Sequence, residues 1–309
     1  MKKPKIVFMG TPEFSVPSLE AIHDKYGVSL VITVPDKQQG RGLKLSPSPV
    51  KVKALELGIP VLQPAVLKEE SFINELKELA PDIIVVIAFR ILPKEIFTIP
   101  CVATFNIHGS LLPKYRGAAP INWAIINGEN TSGLTSFIIQ EKVDTGNMLL
   151  TKMVDIDDEM TAGDLHDKLM PLSAVLSLET IELLLSGNFQ PIKQNDPLSC
   201  PAPKLTKDNT KINWTDSAAN VKRFIRGLSP YPTSWTKFDG EVLKVFLVKF
   251  STESYKLEPG EYYINDNRFI VGCSDGNIEL LSIQPQNKKR MLIRDFINGY
   301  RGNCRGRFT

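Results

Sequence analysis

Ile83-Ile84-Val85-Val86-Ile87-Ala88-Phe89 is the longest apolar run in the chain. It is about a third of the 20 or so residues that a bilayer span requires, so no membrane span is expected. Its β-branched content suits a strand buried on both faces, as in a parallel sheet. Similar runs flank it at Lys5 to Met9, Ser29 to Val34, Ala103 to Ile107 and Leu134 to Gln140, with the central one taken as Asp82 to Ala88. Between them Ser18 to Lys25, Val50 to Leu57 and Lys68 to Leu79 have helical spacing, and Phe72, Ile73, Leu76 and Leu79 form one stripe. Strands alternating with amphipathic helices predict an α/β domain with a mainly parallel sheet and crossover helices.

A longer helix is expected from Thr161, which can cap it, with Leu165, Leu169, Leu172 and Leu176 at helical intervals. The texture then changes. Asn188 to Lys207 holds four prolines and no periodic segment, which predicts a linker at 189–207 between a first domain, 1–188, and a second, 208–309. The second opens with a helical segment, Ala218 to Gly227. Short strands follow at Ser234 to Phe238, Val242 to Phe250, Gly260 to Ile264, Arg268 to Cys273 and Ile278 to Ile283. Asp239-Gly240, Asp266-Asn267 and Asp275-Gly276 mark the turns, which predicts a small β-barrel or sandwich. A chain of 309 residues agrees with two domains at about 150 residues each.

Composition narrows the function classes. Apolar residues make up 42% and charged residues 23%, close to soluble globular averages, which excludes collagen-like, coiled-coil and generally disordered chains. The net charge of +3 is too weak by itself to indicate nucleic acid. It conceals two basic stretches, however. Pro35 to Lys53 carries Lys37, Arg41, Lys44, Lys51 and Lys53 against Asp36, and reads as a long basic loop after the second strand. Lys288 to Thr309 carries Lys288, Lys289, Arg290, Arg294, Arg301, Arg305 and Arg307 against Asp295, and reads as a basic tail. Either could be merely solvated or could grip phosphates. Cys101, Cys200, Cys273 and Cys304 are scattered, which argues against a disulfide framework or a metal site and for a reducing cytoplasm. The N-terminal Met1 to Gly10 reads as a first strand and not as a signal peptide.

The chemistry concentrates at Phe105-Asn106-Ile107-His108-Gly109-Ser110-Leu111-Leu112-Pro113. Strand alternation puts Asn106 and His108 on one face near the C-terminal end of a parallel strand, where open α/β sheets build their sites. Asp144, after the next strand, can meet His108 if the strand ends are close. The bland alternatives are a hydrogen-bonded, partly buried imidazole for His108, a turn former for Asn106 and a turn or cap residue for Asp144. Together the trio suits acyl transfer to an amine: an amide NH2 for the oxygen that becomes negative, and an imidazole and carboxylate for the proton. There is no GxSxG elbow and no cysteine is expected near the site, so direct transfer without a covalent enzyme intermediate is expected. Gly10-Thr11-Pro12-Glu13-Phe14 replaces the GxGxxG of dinucleotide-binding proteins, which disfavours NAD and FAD.

These motifs resemble the methionyl-tRNA formyltransferase family. The resemblance runs through Gly10 to Phe14, Pro35-Asp36-Lys37, Gly40-Arg41-Gly42, Pro47 to Lys51, Asn106 to Pro113, Arg116-Gly117-Ala118-Ala119-Pro120 and Asp144-Thr145-Gly146. It continues at Lys204-Leu205, Ile212-Asn213-Trp214 and Pro230 to Trp235. It implies a Rossmann-like formyltransferase domain followed by an OB-like barrel that binds tRNA. It further implies Asn106, His108 and Asp144 as the catalytic trio, and Ser110, Leu111, Leu112 and Pro113 lining a folate site. The cosubstrate would be 10-formyltetrahydrofolate, the acceptor initiator Met-tRNA, and the protein a monomer working without metal, with the loop of Arg41 on the acceptor stem. The sequence departs from the family pattern at Ala88 to Pro93, which lacks a Tyr-Gly, and at Asn147, where an acidic residue is common. The alternatives are a formyltransferase for a nucleotide-linked amino sugar, which shares the central motif, and a noncatalytic RNA-binding protein on the same scaffold.

Overall fold

The computed structural model describes residues 3–39, 44–253, 255–265 and 267–308. Arg41, Gly40, Gly42 and the turn residue Asp266 therefore lie outside the described residues. In chain order the first strands and helices are β1 (Ile6–Gly10), α1 (Val16–Tyr26), β2 (Val28–Ile32), β3 (Lys37–Gln39), β4 (Lys44–Ser46), α2 (Pro49–Glu56), β5 (Val61–Leu62) and α3 (Glu70–Leu79). Then come β6 (Ile83–Ile87), α4 (Lys94–Phe97), β7 (Ala103–His108), β8 (Arg116–Gly117), α5 (Pro120–Ile126), β9 (Thr131–Ile138), β10 (Met148–Asp155), α6 (Ala162–Ser186) and β11 (Pro201–Ala202).

The main sheet has the order β10-β9-β7-β6-β1-β2-β5. β1 is parallel to β2 and β6, β2 to β5, and β6 to β7, while β9 runs antiparallel to β7. The chain winds outward from β1 through β2 to β5, then returns to the other side of β1 with β6. In sheets whose winding reverses in this way, a site crevice usually forms at the C-terminal strand ends beside the reversal, here those of β1, β6 and the neighbouring β7. All residues of β1 and β6 are buried, which is why both read as unbroken apolar runs.

The helical stripe behaves as helical geometry requires: Phe72 and Leu76 are buried on the core side, while Ile73 and Leu79 pack partly covered at its edge. Thr161 starts α6 with a reciprocal cap, taking the Asp164 N–H at 3.2 Å while its own N–H donates to the Asp164 carboxylate at 2.8 Å. Among the described residues, α6 is the helix long and apolar enough to cross a membrane by length and composition. Its Leu165, Leu169, Leu176 and Ile181 are fully buried, together with Ser173, Ser177 and Thr180, as in a core helix.

Two expectations about charge change here. The basic stretch Pro35 to Lys53 is not one loop: β3 and β4 pair antiparallel, and Lys51 and Lys53 lie on α2. Lys51 pairs with Asp36 at 2.6 Å, and Lys53 with Glu20 at 2.9 Å and Glu56 at 2.7 Å, so these lysines are locally neutralised. Lys288 to Thr309 is likewise not a tail. It contributes β17 (Met291–Leu292), α8 (Ile293–Gly299) and β18 (Arg305–Arg307) to the second sheet and its core.

The elements before these in the second half are α7 (Ala218–Leu228), β12 (Ser234–Phe238), β13 (Glu241–Phe250), β14 (Glu261–Ile264), β15 (Phe269–Gly272) and β16 (Asn277–Pro285). Their antiparallel sheet, of order β12-β13-β16-β15-β14-β18 with β17 on β16, curls as a half-barrel. Asp239 and Gly240 both have positive φ, 50° and 81°, which matches the two-residue hairpin between β12 and β13. Phe269 lies at the centre of the barrel core, fully buried and ringed by Phe238, Tyr262, Phe296 and Phe308.

The chain divides into two compact units. One takes in 1–120, 131–154 and 166–202; the other takes in 121–130, 155–165 and 203–309. The segment 189–207 thus falls on both sides of the division. Through Ala202 it is part of the first unit, anchored by Ile192, which exchanges two 2.8 Å backbone hydrogen bonds with Met148.

Because Leu76 is fully enclosed and Ile73 is not, Leu76→Ala should destabilise the first unit by about 3 kcal/mol and Ile73→Ala by less than half of that. Urea unfolding midpoints of the two variants check this, and equal shifts would contradict the assigned core face.

Candidate active site

Strand β7 sets the first two side chains. Asn106 pairs with Val86 on one side and Phe137 on the other, and His108 with Thr135, so their backbones are held between β6 and β9. Alternation then turns both side chains to one face. Asn106 Oδ1 is buried and has no hydrogen-bond partner in the protein. Buried amide oxygens are rarely left unpaired, which makes Asn106 a candidate site residue.

His108 is buried, at 6% exposure, with its ring edge-on to Phe137 at 6.5 Å. Its Nε2 lies 2.8 Å from the Tyr115 carbonyl. A carbonyl can only accept, so Nε2 carries the proton, and Nδ1 is the nitrogen left to exchange one. Nδ1 faces Asp144 Oδ2 at 3.8 Å, within ion-pair range and beyond a direct hydrogen bond. The ring is therefore oriented by a main-chain carbonyl, with Asp144 facing its other nitrogen.

Asp144 sits in a turn after β9 with φ of +55°, and its side chain is only 10% exposed. Oδ2 accepts the Gly117 N–H at 2.9 Å. Gly117 has φ of +128°, and a Cβ there would lie 2.5 Å from the Ala202 carbonyl oxygen, so only glycine fits. Gly146 is equally constrained, since a Cβ would meet the Ile138 carbonyl oxygen at 1.6 Å.

The turn after His108 is internally wired. Thr135 Oγ1 donates to the Ser110 carbonyl at 2.7 Å and accepts from the Leu112 N–H at 3.1 Å, while Ser110 Oγ donates to the Lys114 carbonyl at 2.6 Å. Ser110 is fully buried and Leu112 nearly so, leaving Leu111 and Pro113 as the partly exposed surface of this turn. On the neighbouring strand end, Ala88 takes φ of +47° at the point where the sequence lacks a Tyr-Gly.

Four contributors escaped the sequence reading: the Tyr115 carbonyl, the Gly117 N–H, Gln194 and Cys200. Gln194 is 4% exposed and donates to the carbonyls of Asp144 at 2.9 Å and Gly146 at 2.8 Å. Its Oε1 accepts from Arg116 Nε at 3.0 Å and Nη2 at 2.6 Å. Arg116 also pairs with Asp196 at 2.7 Å, which holds that carboxyl below the usual range. The sequence placed no cysteine near the site; Cys200 is there, its Sγ accepting the Tyr115 N–H at 3.3 Å. β8 and β11 pair in parallel, with the Arg116 N–H on the Cys200 carbonyl and the Ala118 N–H on the Ala202 carbonyl. No periodic signal marks these residues, because each acts through the main chain or through one polar contact distant in sequence.

Residues 4–180 match the family model described as formyl transferase, and residues 204–301 match that of the formyl transferase C-terminal domain. The methionyl-tRNA formyltransferase of Clostridium acetobutylicum is 50% identical over 298 residues, and that of Clostridium novyi 48% over the same length, each alignment covering 96% of both chains. Among solved structures, an N-formyltransferase from Helicobacter canadensis, in complex with folinic acid and dTDP-3-aminofucose, shares the fold. It has a TM-score of 0.68 at 23% identity, over 91% of this chain and 99% of that one. HypX from Aquifex aeolicus, in complex with tetrahydrofolic acid, has a TM-score of 0.64 at 18% identity, over 96% of this chain and 47% of that one. By sequence match along nearly its whole length, the chain belongs to the methionyl-tRNA formyltransferase family.

Proposed function

We infer that this chain transfers the formyl group of 10-formyltetrahydrofolate to the α-amine of the methionine carried by initiator Met-tRNA. The observation that carries the reading is the convergence of Asn106, His108 and Asp144 at the end of β7, in a chain of that family. The folate supplies a formyl carbon bound to its N10. The residues present fit such a group, since the Asn106 amide oxygen is left without a hydrogen-bond partner in the protein.

The roles follow from the geometry. As the amine nitrogen adds to the formyl carbon, negative charge gathers on the formyl oxygen, and the Asn106 NH2 donates to it. His108 Nδ1 takes the proton shed by the amine and returns it to the departing nitrogen as the old carbon–nitrogen bond breaks. Nε2 stays committed to the Tyr115 carbonyl throughout, so the ring keeps its orientation. Asp144 balances the positive charge that the imidazole gains and is itself held by the Gly117 N–H. Leu111 and Pro113 offer the folate an apolar surface. The barrel unit offers RNA the exposed cations Arg305, over the Tyr263 ring at 4.9 Å, and Arg290, over the buried Phe246 ring at 4.4 Å.

Asn106→Ala and Asp144→Asn should each lower kcat by about 100- to 1,000-fold with unchanged unfolding midpoints. Steady-state transfer assays check this, and near-normal turnover in either variant would contradict the assignment. Arg41 belongs to the segment expected on the acceptor stem. Its replacement by Ala should raise the KM for tRNA and reduce the slope of log affinity against log salt by about 0.7 to 0.9, the share of one phosphate contact. An unchanged slope would remove that segment from the tRNA interface.

A further inference from the structure

Gln194 is buried between exposed neighbours, Lys193 and Asn195, in a segment with no other enclosed residue from Asn188 to Ser199. Every hydrogen-bonding valence of its amide is used. Both hydrogens go to carbonyls of the turn that carries Asp144, at 2.9 and 2.8 Å, and the oxygen goes to the Arg116 guanidinium. The orientation of the amide is thereby fixed, since carbonyls can only accept and a guanidinium can only donate.

The two loops it joins are the ones that hold the catalytic side chains. On one side, Tyr115 and Gly117 flank Arg116, and their main chain grips His108 Nε2 and Asp144 Oδ2. On the other, Asp144 takes a left-handed conformation, uncommon outside glycine though more accessible to aspartate than to most residues, in a turn whose carbonyls need partners for support. Gln194 provides that support from a strand of chain about 50 residues downstream.

We propose that Gln194 is a positioning residue for the transfer reaction: it clamps the Asp144 turn to the Arg116 loop and so sets the separation of the Asp144 carboxylate from His108. The proposal rests on the catalytic reading of Asp144. It gives residues 189–202 a part in catalysis that a connecting segment would not have. Cys200 and Ala202 extend the same clamp by binding the backbone of residues 115–118.

Gln194→Glu tests the clamp, because it keeps the shape and the acceptor for Arg116 while replacing the NH2 and its two donors with one oxygen that opposes two carbonyls. The expected result is a 10- to 100-fold fall in kcat, with KM for folate and for Met-tRNA within about twofold of wild type. Introduced into Asp144→Asn, the same change should lower kcat by less than threefold, because its effect runs through that carboxylate. A plug that merely fills space would be preserved by Glu, and its loss would multiply with that of Asp144→Asn. Gln194→Ala, which leaves room for water on both carbonyls, is the second variant should Glu prevent folding, and the same fall in kcat is expected of it. Wild-type kcat in the single variants, or a full multiplicative loss in the double variant, would overturn the proposal alone. Wild-type kcat in Asp144→Asn would overturn it together with the catalytic reading.

Discussion

The site depends on one hydrogen bond, from the Gly117 N–H to Asp144 Oδ2. It fixes a carboxylate that sits on a left-handed turn, 3.8 Å from the imidazole it serves. For the N–H to point there, residue 117 must take φ of +128° against the Ala202 carbonyl, which demands glycine and a strand of downstream chain laid alongside. The sheet supplies the other half. β7, locked between β6 and β9, presents Asn106 and His108 on one face near the point where the winding of the chain reverses.

Much of this was legible in the sequence, for physical reasons. β1 and β6 are buried on both faces, so their residues must be apolar and β-branched, and they stand out as runs. The pair Asn106 and His108 was visible because period-2 alternation is a property of any strand. β10 was not found: it lies at the sheet edge, and Met148–Asp155 mixes exposed Thr151, Met153 and Asp155 with half-covered leucines, so no run of buried apolar residues results. α5 was hidden in the Ala118-Ala119-Pro120 motif, whose spacing carries no helical stripe.

The side chains of the proposed site could be picked out from the sequence, whereas its main-chain contacts could not. Nothing in the identity of Tyr115 says that its carbonyl will orient His108, because every residue has a carbonyl. Gln194 is a single polar residue in a proline-rich stretch, and the reading of that stretch as a surface linker followed from composition alone. Burial of one residue among exposed neighbours is a tertiary fact. Charge was misleading in the same way: Lys51 and Lys53 counted toward a basic loop until α2 set them against Asp36, Glu20 and Glu56.

Family membership and the trio converge on one reaction, and acceptor identity is where they can be separated from a shared fold. The most direct measurement is formyl transfer from 10-formyltetrahydrofolate to charged initiator Met-tRNA, with uncharged tRNA, free methionine and a dTDP-linked amino sugar as alternative acceptors and His108→Ala alongside. The account predicts transfer to the charged tRNA alone, abolished in the variant. Transfer to the amino sugar in place of the tRNA, or full activity in His108→Ala, would contradict it.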